Sequence, residues 1–267
     1  MENSVVIVNG VRTPMGGFQG DLAGVSSPDL GATVIKEAVN RAGIEPNEVD
    51  EVIMGSILTA GVGQSPARQA MRKAGLPDST GAVNLNKLCG SGMKAIMMAS
   101  DEIRAGSIDI AVAGGMESMT NAPYVLAKAR GGFRMGHGEI KDTMFLDGLE
   151  DAETGKLMGV FAQEMADTLG ITREEMDAFA IESLKRANNA ITSGHFKDEI
   201  VPVTIKGRSG DTVVDTDEHP AKAKVDKIPT LKPAFAKDGT VTAANSSSIS
   251  DGAAAVVLMS ENKAKEK

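Results

Sequence analysis

Between residues 4 and 118 the apolar positions alternate between two rhythms. Short unbroken runs such as Val5-Val6-Ile7-Val8 and Ile108 to Ala113 read as buried strands. Longer stretches with apolar residues three and four apart read as helices. The first helical stripe is Leu30, Val34, Ile35, Ala38, Val39 and Ala42, and it stops at Gly43. Val49 to Leu58 then reads as a strand, Pro66 to Ala74 as a helix closed by Gly75, and Ala82 to Leu88 as another strand. Cys89 to Ala105 reads as the following helix, stopped by Gly106. Strands alternating with helices imply βαβ crossovers, and hence an α/β fold with a central mixed, mostly parallel sheet between helices.

After Met119 the rhythm breaks. Residues 120–160 are rich in Gly, Asp, Met and Thr and hold no sustained strand period. A long amphipathic helix follows, running to Ser193, with Thr172 as N-cap and Glu175 three residues on in capping-box spacing. Residues 194–240 are polar and punctuated by Pro202, Pro220, Pro229 and Pro233. The apolar run Ala253 to Met259 then reads as a strand returning to the first sheet. The expected organisation is a core of residues 1–118 with 250–267, and a loop domain of residues 119–249 inserted before the last strand.

Charge and composition narrow the function classes. The chain has 36 acidic and 28 basic residues and no long run of like charge, which argues against nucleic acid or an anionic membrane surface as partner. No apolar run approaches transmembrane length and no leader pattern opens the chain, so a soluble cytoplasmic protein is expected. A single cysteine rules out an internal disulfide and fits a reducing compartment. His137, His195 and His219 lie far apart in turn-rich surroundings, without metal-ligand spacing; exposed, non-catalytic roles are expected for all three, and no metal.

The lone Cys89 sits between a strand-like and a helix-like run, in Asn86-Lys87-Leu88-Cys89-Gly90-Ser91-Gly92. A thiol in the first turn of a helix lies at the positive end of the helix dipole, which favours the nucleophilic thiolate. Gly90 and Gly92 clear side chains from around the sulfur, so a substrate carbonyl could approach and use backbone N–H groups as an oxyanion site. The alternative is a buried structural cysteine, a common fate of this residue type.

Five segments, in order, give the chain a family resemblance: Val11-Arg12-Thr13-Pro14-Met15-Gly16, the Cys89 segment, Ala113-Gly114-Gly115-Met116-Glu117-Ser118-Met119, Leu231-Lys232-Pro233-Ala234-Phe235 and Ser250-Asp251-Gly252-Ala253-Ala254-Ala255. Together they resemble the thiolase family along essentially the whole chain. The resemblance implies that Cys89 takes an acyl group from an acyl-CoA as a thioester. In biosynthetic members a second acetyl-CoA then attacks, giving acetoacetyl-CoA and CoA; degradative members run the reverse. Met158 matches a residue lining the acyl and pantetheine pocket, Ser247 one contacting the pantetheine arm, and Ala243 and Ala244 the backbone beside it. Without the resemblance, Met158 would read as core and Ser246-Ser247-Ser248 as a polar loop.

Two positions depart from the family pattern. Leu157 stands where biosynthetic members often have histidine. Ala221 replaces an arginine, which leaves Lys222, Lys224 or Lys227 beside the CoA phosphates or adenine. No further cofactor is implied, CoA thioesters being substrates, and a homo-oligomer (dimer or tetramer) is expected. The family's Asn-Glu-Ala-Phe, Gly-His-Pro and second-cysteine segments do not occur, so the chain is expected to be an N-terminal half that is inactive by itself. Two alternatives stand beside this reading: a longer-chain 3-ketoacyl-CoA thiolase, and a non-catalytic acyl-CoA-binding module.

Overall fold

The computed structural model describes residues 4–208 and 210–267. Its chain opens with β1 (Val5–Arg12), the two-residue β2 (Gly16–Gly17), α1 (Ser27–Arg41), β3 (Glu51–Gly55), α2 (Pro66–Lys73), β4 (Gly81–Leu85), α3 (Ser91–Ala105) and β5 (Ile110–Ser118). Next come the short pair β6 (Tyr124–Val125) and β7 (Lys141–Asp142), then α4 (Met158–Leu169) and α5 (Arg173–Thr192). The hairpin of β8 (Val203–Ile205) and β9 (Thr212–Val214) leads to α6 (Glu218–Lys222), β10 (Ser250–Ser260) and α7 (Glu261–Glu266).

Among the described residues the main sheet has six strands, in the order β1-β10-β5-β3-β4 with β2 also on β10. β10 is antiparallel to β1, β2 and β5, while β3 pairs in parallel with β4 and β5. Every strand except β10 therefore runs the same way, the mixed, mostly parallel sheet that the alternating pattern predicts. Alternate residues of β3 show how the layers form: Val52 and Met54 join the cluster of Leu30, Val34, Ile35 and Met71 from α1 and α2. Ile53 faces the other way, toward Ala95, Ala99 and Ile103 of α3. Burying each such side chain stabilises the fold by about 1.5–3 kcal/mol relative to exposure.

Three elements differ from their predicted bounds. β1 runs on from Val8 to Arg12, because β10 supplies partners for the whole stretch. β5 continues beyond Ala113, where its apolar run ends, and Gly114-Gly115 stay in the ladder opposite Ala255 and Ala254. The close approach there requires glycine: a Cβ on Gly114 would lie 2.0 Å from the Ala254 carbonyl oxygen. Finally, α3 begins at Ser91 with Gly90 as its N-cap, so Cys89 precedes the helix and does not lie in its first turn.

The chain divides into two compact units. One takes in residues up to Ala122, Lys197–Thr216 and Ser250–Lys267; the other is Pro123–Phe196 with Asp217–Ile249. Residues 197–216, drawn into the insertion by their polar sequence, thus group with the core. They do so because Val201 donates to the Arg12 carbonyl (2.8 Å), Arg12 donates to the Glu199 carbonyl (2.8 Å), and Val203 and Val214 are buried in the core cluster. Within the second unit, α5 carries the predicted capping box: the Thr172 N–H donates to Glu175 Oε2 (2.8 Å) and the Glu175 N–H to Thr172 Oγ1 (3.2 Å). Among the described residues no helix is long and apolar enough to cross a membrane.

Gly114→Ala tests the close approach of β5 to β10. The added methyl must displace backbone, so urea unfolding should show a loss of about 2–3 kcal/mol or failure to fold. Gly24→Ala, where an added Cβ meets nothing and the backbone is not left-handed, serves as the sterically unhindered comparison.

Candidate active site

Cys89 is exposed, which removes the buried-cysteine alternative. It sits in a turn between β4 and α3 that its own backbone ties tightly. The Gly90 N–H donates to the Lys87 carbonyl (3.1 Å) and the Ser91 N–H to the Leu88 carbonyl (3.0 Å). Ser91 stitches the turn a second time: its Oγ accepts from the Lys87 N–H (2.8 Å) and donates to the Leu88 carbonyl (2.6 Å). Leu88 adopts a left-handed conformation with φ 48°, unusual for a residue with a branched side chain.

These bonds change which amides can serve an oxyanion. The Gly90 N–H is already engaged within the turn. The N–H groups of Gly92 and Met93, at the second and third helical positions, are those that a helix leaves without an internal acceptor.

The turn rests on β3. A Cβ on Gly55 would stand 2.6 Å from the Ser91 carbonyl carbon and 2.7 Å from the Gly92 nitrogen, so the helix start packs directly on the strand end. The Ser56 N–H donates to the Leu85 carbonyl (3.1 Å), joining the ends of β3 and β4. Glu117 of β5 then fixes the chain leaving β3: its carboxylate accepts from the N–H groups of Ile57 (2.8 Å) and Leu58 (3.0 Å) and from Ser56 Oγ (3.2 Å). Burial pushes the Glu117 carboxyl above its usual value, and these three donors pull against that shift. The sequence pattern of Gly114-Gly115-Met116-Glu117 gives no hint of this anchoring role.

A second feature lies in the other unit: a cleft of about 810 Å³. Its walls come from α5, from the segment around α6, and from Ala243 to Ser248. Four of the sequence-predicted residues, Lys222, Ala243, Ala244 and Ser247, line it, while Met158 does not. Met158 occupies the first position of α4, half-exposed; the neighbouring Gly159 lies against the Phe235 ring, which leaves no room for a Cβ. Lys222 pairs with Glu218 one turn before it. Lys224 and Lys227 also line the cleft and make no ion pair among the described residues, so they are the cations open to an anionic ligand.

Two lining residues escape sequence reasoning. Phe179 looks like an ordinary helix residue yet stands 79% exposed at the cleft. His219, expected to be exposed, is half-buried in the cleft wall; His137 and His195 are exposed. No group of metal-ligating side chains occurs among the described residues.

Comparison with known proteins places this geometry in a family. Residues 5–262 match the profile "Thiolase, N-terminal domain". The acetyl-CoA acetyltransferase of Pseudomonas aeruginosa is 52% identical over 263 residues, 98% of this chain and 67% of that protein. That of Cupriavidus necator is 54% identical over 264 residues, again 98% and 67%. The crystal structure of the Bacillus anthracis acetyl-CoA acetyltransferase superposes with a TM-score of 0.96 at 46% identity, covering 99% of this chain and 67% of that one. The exposed cysteine at a helix start thus belongs to an acyl-transfer fold: the chain is a member of the thiolase family, matched over the N-terminal domain that carries the cysteine.

Because the Glu117 pKa is raised in the fold, the folded state holds this proton more tightly than the unfolded one. Its contribution to stability therefore falls as pH rises from about 4.5 through the raised value. Glu117→Gln, always neutral, lacks this slope. Urea midpoints measured from pH 4 to 8 should show the wild type losing ground to the variant as pH rises, and parallel profiles would exclude the carboxyl as the source.

Proposed function

We propose that this chain supplies the acyl-accepting part of an acetyl-CoA acetyltransferase. The Cys89 thiolate attacks the thioester carbonyl of acetyl-CoA, the C–S bond to CoA breaks, and CoA leaves as a thiolate that takes up a proton. The acetyl group stays on Cys89 as a thioester, so the exchange is close to isoenergetic. The carbanion of a second acetyl-CoA then attacks the acyl-cysteine to give acetoacetyl-CoA; thiolysis is the reverse. The observation that carries this reading is Cys89 itself. It is an exposed thiol just before a helix start, in a chain 52% identical to an acetyl-CoA acetyltransferase over 263 residues.

Each further element of the reading has its own support. The unit that carries Cys89 contains no histidine, so nothing in it acts as an imidazole base toward the thiol. Acylation is the step these residues support alone; carbanion formation needs a base they do not provide. The cleft suits the CoA portion: Ser247, Ala243 and Ala244 offer a small, partly polar wall to the pantetheine arm, and Lys224 and Lys227 offer charge to its phosphates. No other cofactor enters the scheme. The protein is taken to act as a homo-oligomer in the cytoplasm, where its thiol stays reduced.

Incubation with acetyl-CoA should add one acetyl group by intact mass, slowly, at Cys89 and not in Cys89→Ser. CoA binding without any adduct would favour a non-catalytic binding module instead. Lys224→Glu with Lys227→Glu should weaken CoA binding about tenfold or more and flatten its salt dependence, measured by calorimetry at two ionic strengths. Unchanged affinity would remove the lysines from the site. Light scattering should report an oligomer; a monodisperse monomer would count against self-association.

A further inference from the structure

Two stretches of the cleft lining, Ile228 with Leu231 and Ala243 to Ser248, are tied to one buried carboxylate. Asp177 on α5 is only 5% exposed and does not itself line the cleft. Its Oδ2 accepts from Arg173 Nε (2.6 Å), one helical turn earlier. Its Oδ1 accepts from Asn245 Nδ2 (3.0 Å).

Each partner carries the tie onward to one wall. The Arg173 guanidinium donates to the carbonyls of Ile228 (3.1 Å) and Leu231 (2.9 Å). Asn245 braces the strip on which it sits, donating to the Thr240 carbonyl (3.1 Å) and accepting from the Thr242 N–H (2.7 Å). We propose that Asp177 is a positioning residue that sets the separation of the two cleft walls through Arg173 and Asn245, and so tunes affinity for CoA. This rests on the reading of the cleft as the CoA site.

The chemistry calls for an ionised aspartate here. Both partners are donors, and an ionised carboxylate has an acceptor oxygen for each. Asparagine has the same shape but one acceptor oxygen, which the charged Arg173 guanidinium claims, so its amide faces Asn245 and that tie opens. The buried setting strengthens the two bonds and makes the loss of either expensive.

The test is calorimetric titration of CoA into wild type, Asp177→Asn and Asn245→Ala, with thermal melts of each and hydrogen exchange of the amides from 242 to 248. Asp177→Asn should weaken CoA binding about tenfold, the loss expected for one buried tie. Asn245→Ala should weaken it comparably and speed exchange in the strip, and the double variant should bind no worse than about the weaker single, because both changes open the same tie. Should Asp177→Asn not fold, Asn245→Ala carries the test, since it leaves the Arg173–Asp177 pair intact. Variants that melt earlier yet bind CoA like the wild type would show a purely structural network and overturn the proposal. A wild type that binds no CoA would instead overturn the assignment of the cleft, and the proposal with it.

Discussion

Backbone pairing of β10 with β5 on one side and β1 on the other is the interaction on which the core unit depends. It joins Ser250–Ser260 to residues near the start of the chain and to residues 110–118, closing loops of more than a hundred residues. The sheet cannot bury both faces until that strand arrives, so the entropy of closing these loops comes before most of the packing gain. The sequence around the joint suits a tight fit: Gly114 and Gly115 lie opposite Ala255 and Ala254, and Ala113 opposite Val256. Small side chains on both strands let α1 and α3 settle close to the sheet from opposite sides.

Much of this was legible in the chain. The helix stripes of α1 and α2, the capping box of α5 and the returning strand were all readable, because each is set by neighbours within a few residues. What escaped were features set by distant partners. β5 runs through Gly114-Gly115 because β10 lies beside it, and residues 197–216 join the core because Arg12 offers its backbone to Glu199 and Val201. Neither partner is visible in a local window.

The two functional regions differ in the same way. Cys89 could be singled out because its meaning is local: strand, thiol, glycine, helix. The structure shifted it from the first turn of the helix to the turn before it, where the Gly90 N–H is engaged by the Lys87 carbonyl. The cleft was legible only through resemblance. Arg173 and Asp177 look like an ordinary surface pair at helical spacing, and nothing in Asn245 says that it reaches α5. Lys222 was singled out with its neighbours, but only the fold shows that Glu218 engages it and leaves Lys224 and Lys227 open.

Leu88 carries a cost that the rest of the turn sustains. A leucine held at φ 48° gives up roughly 1 kcal/mol or more relative to a glycine in the same place. The Leu88 N–H donates to Asn86 Oδ1, and Ser91 donates to the Leu88 carbonyl; together these bonds hold it there. The turn that presents the thiol is thus a place where the fold has accepted lower stability in order to hold a side chain beside it. A thermostabilising selection would be drawn to this position, and the variants it favoured would be those in which the setting of the nucleophile had been allowed to relax.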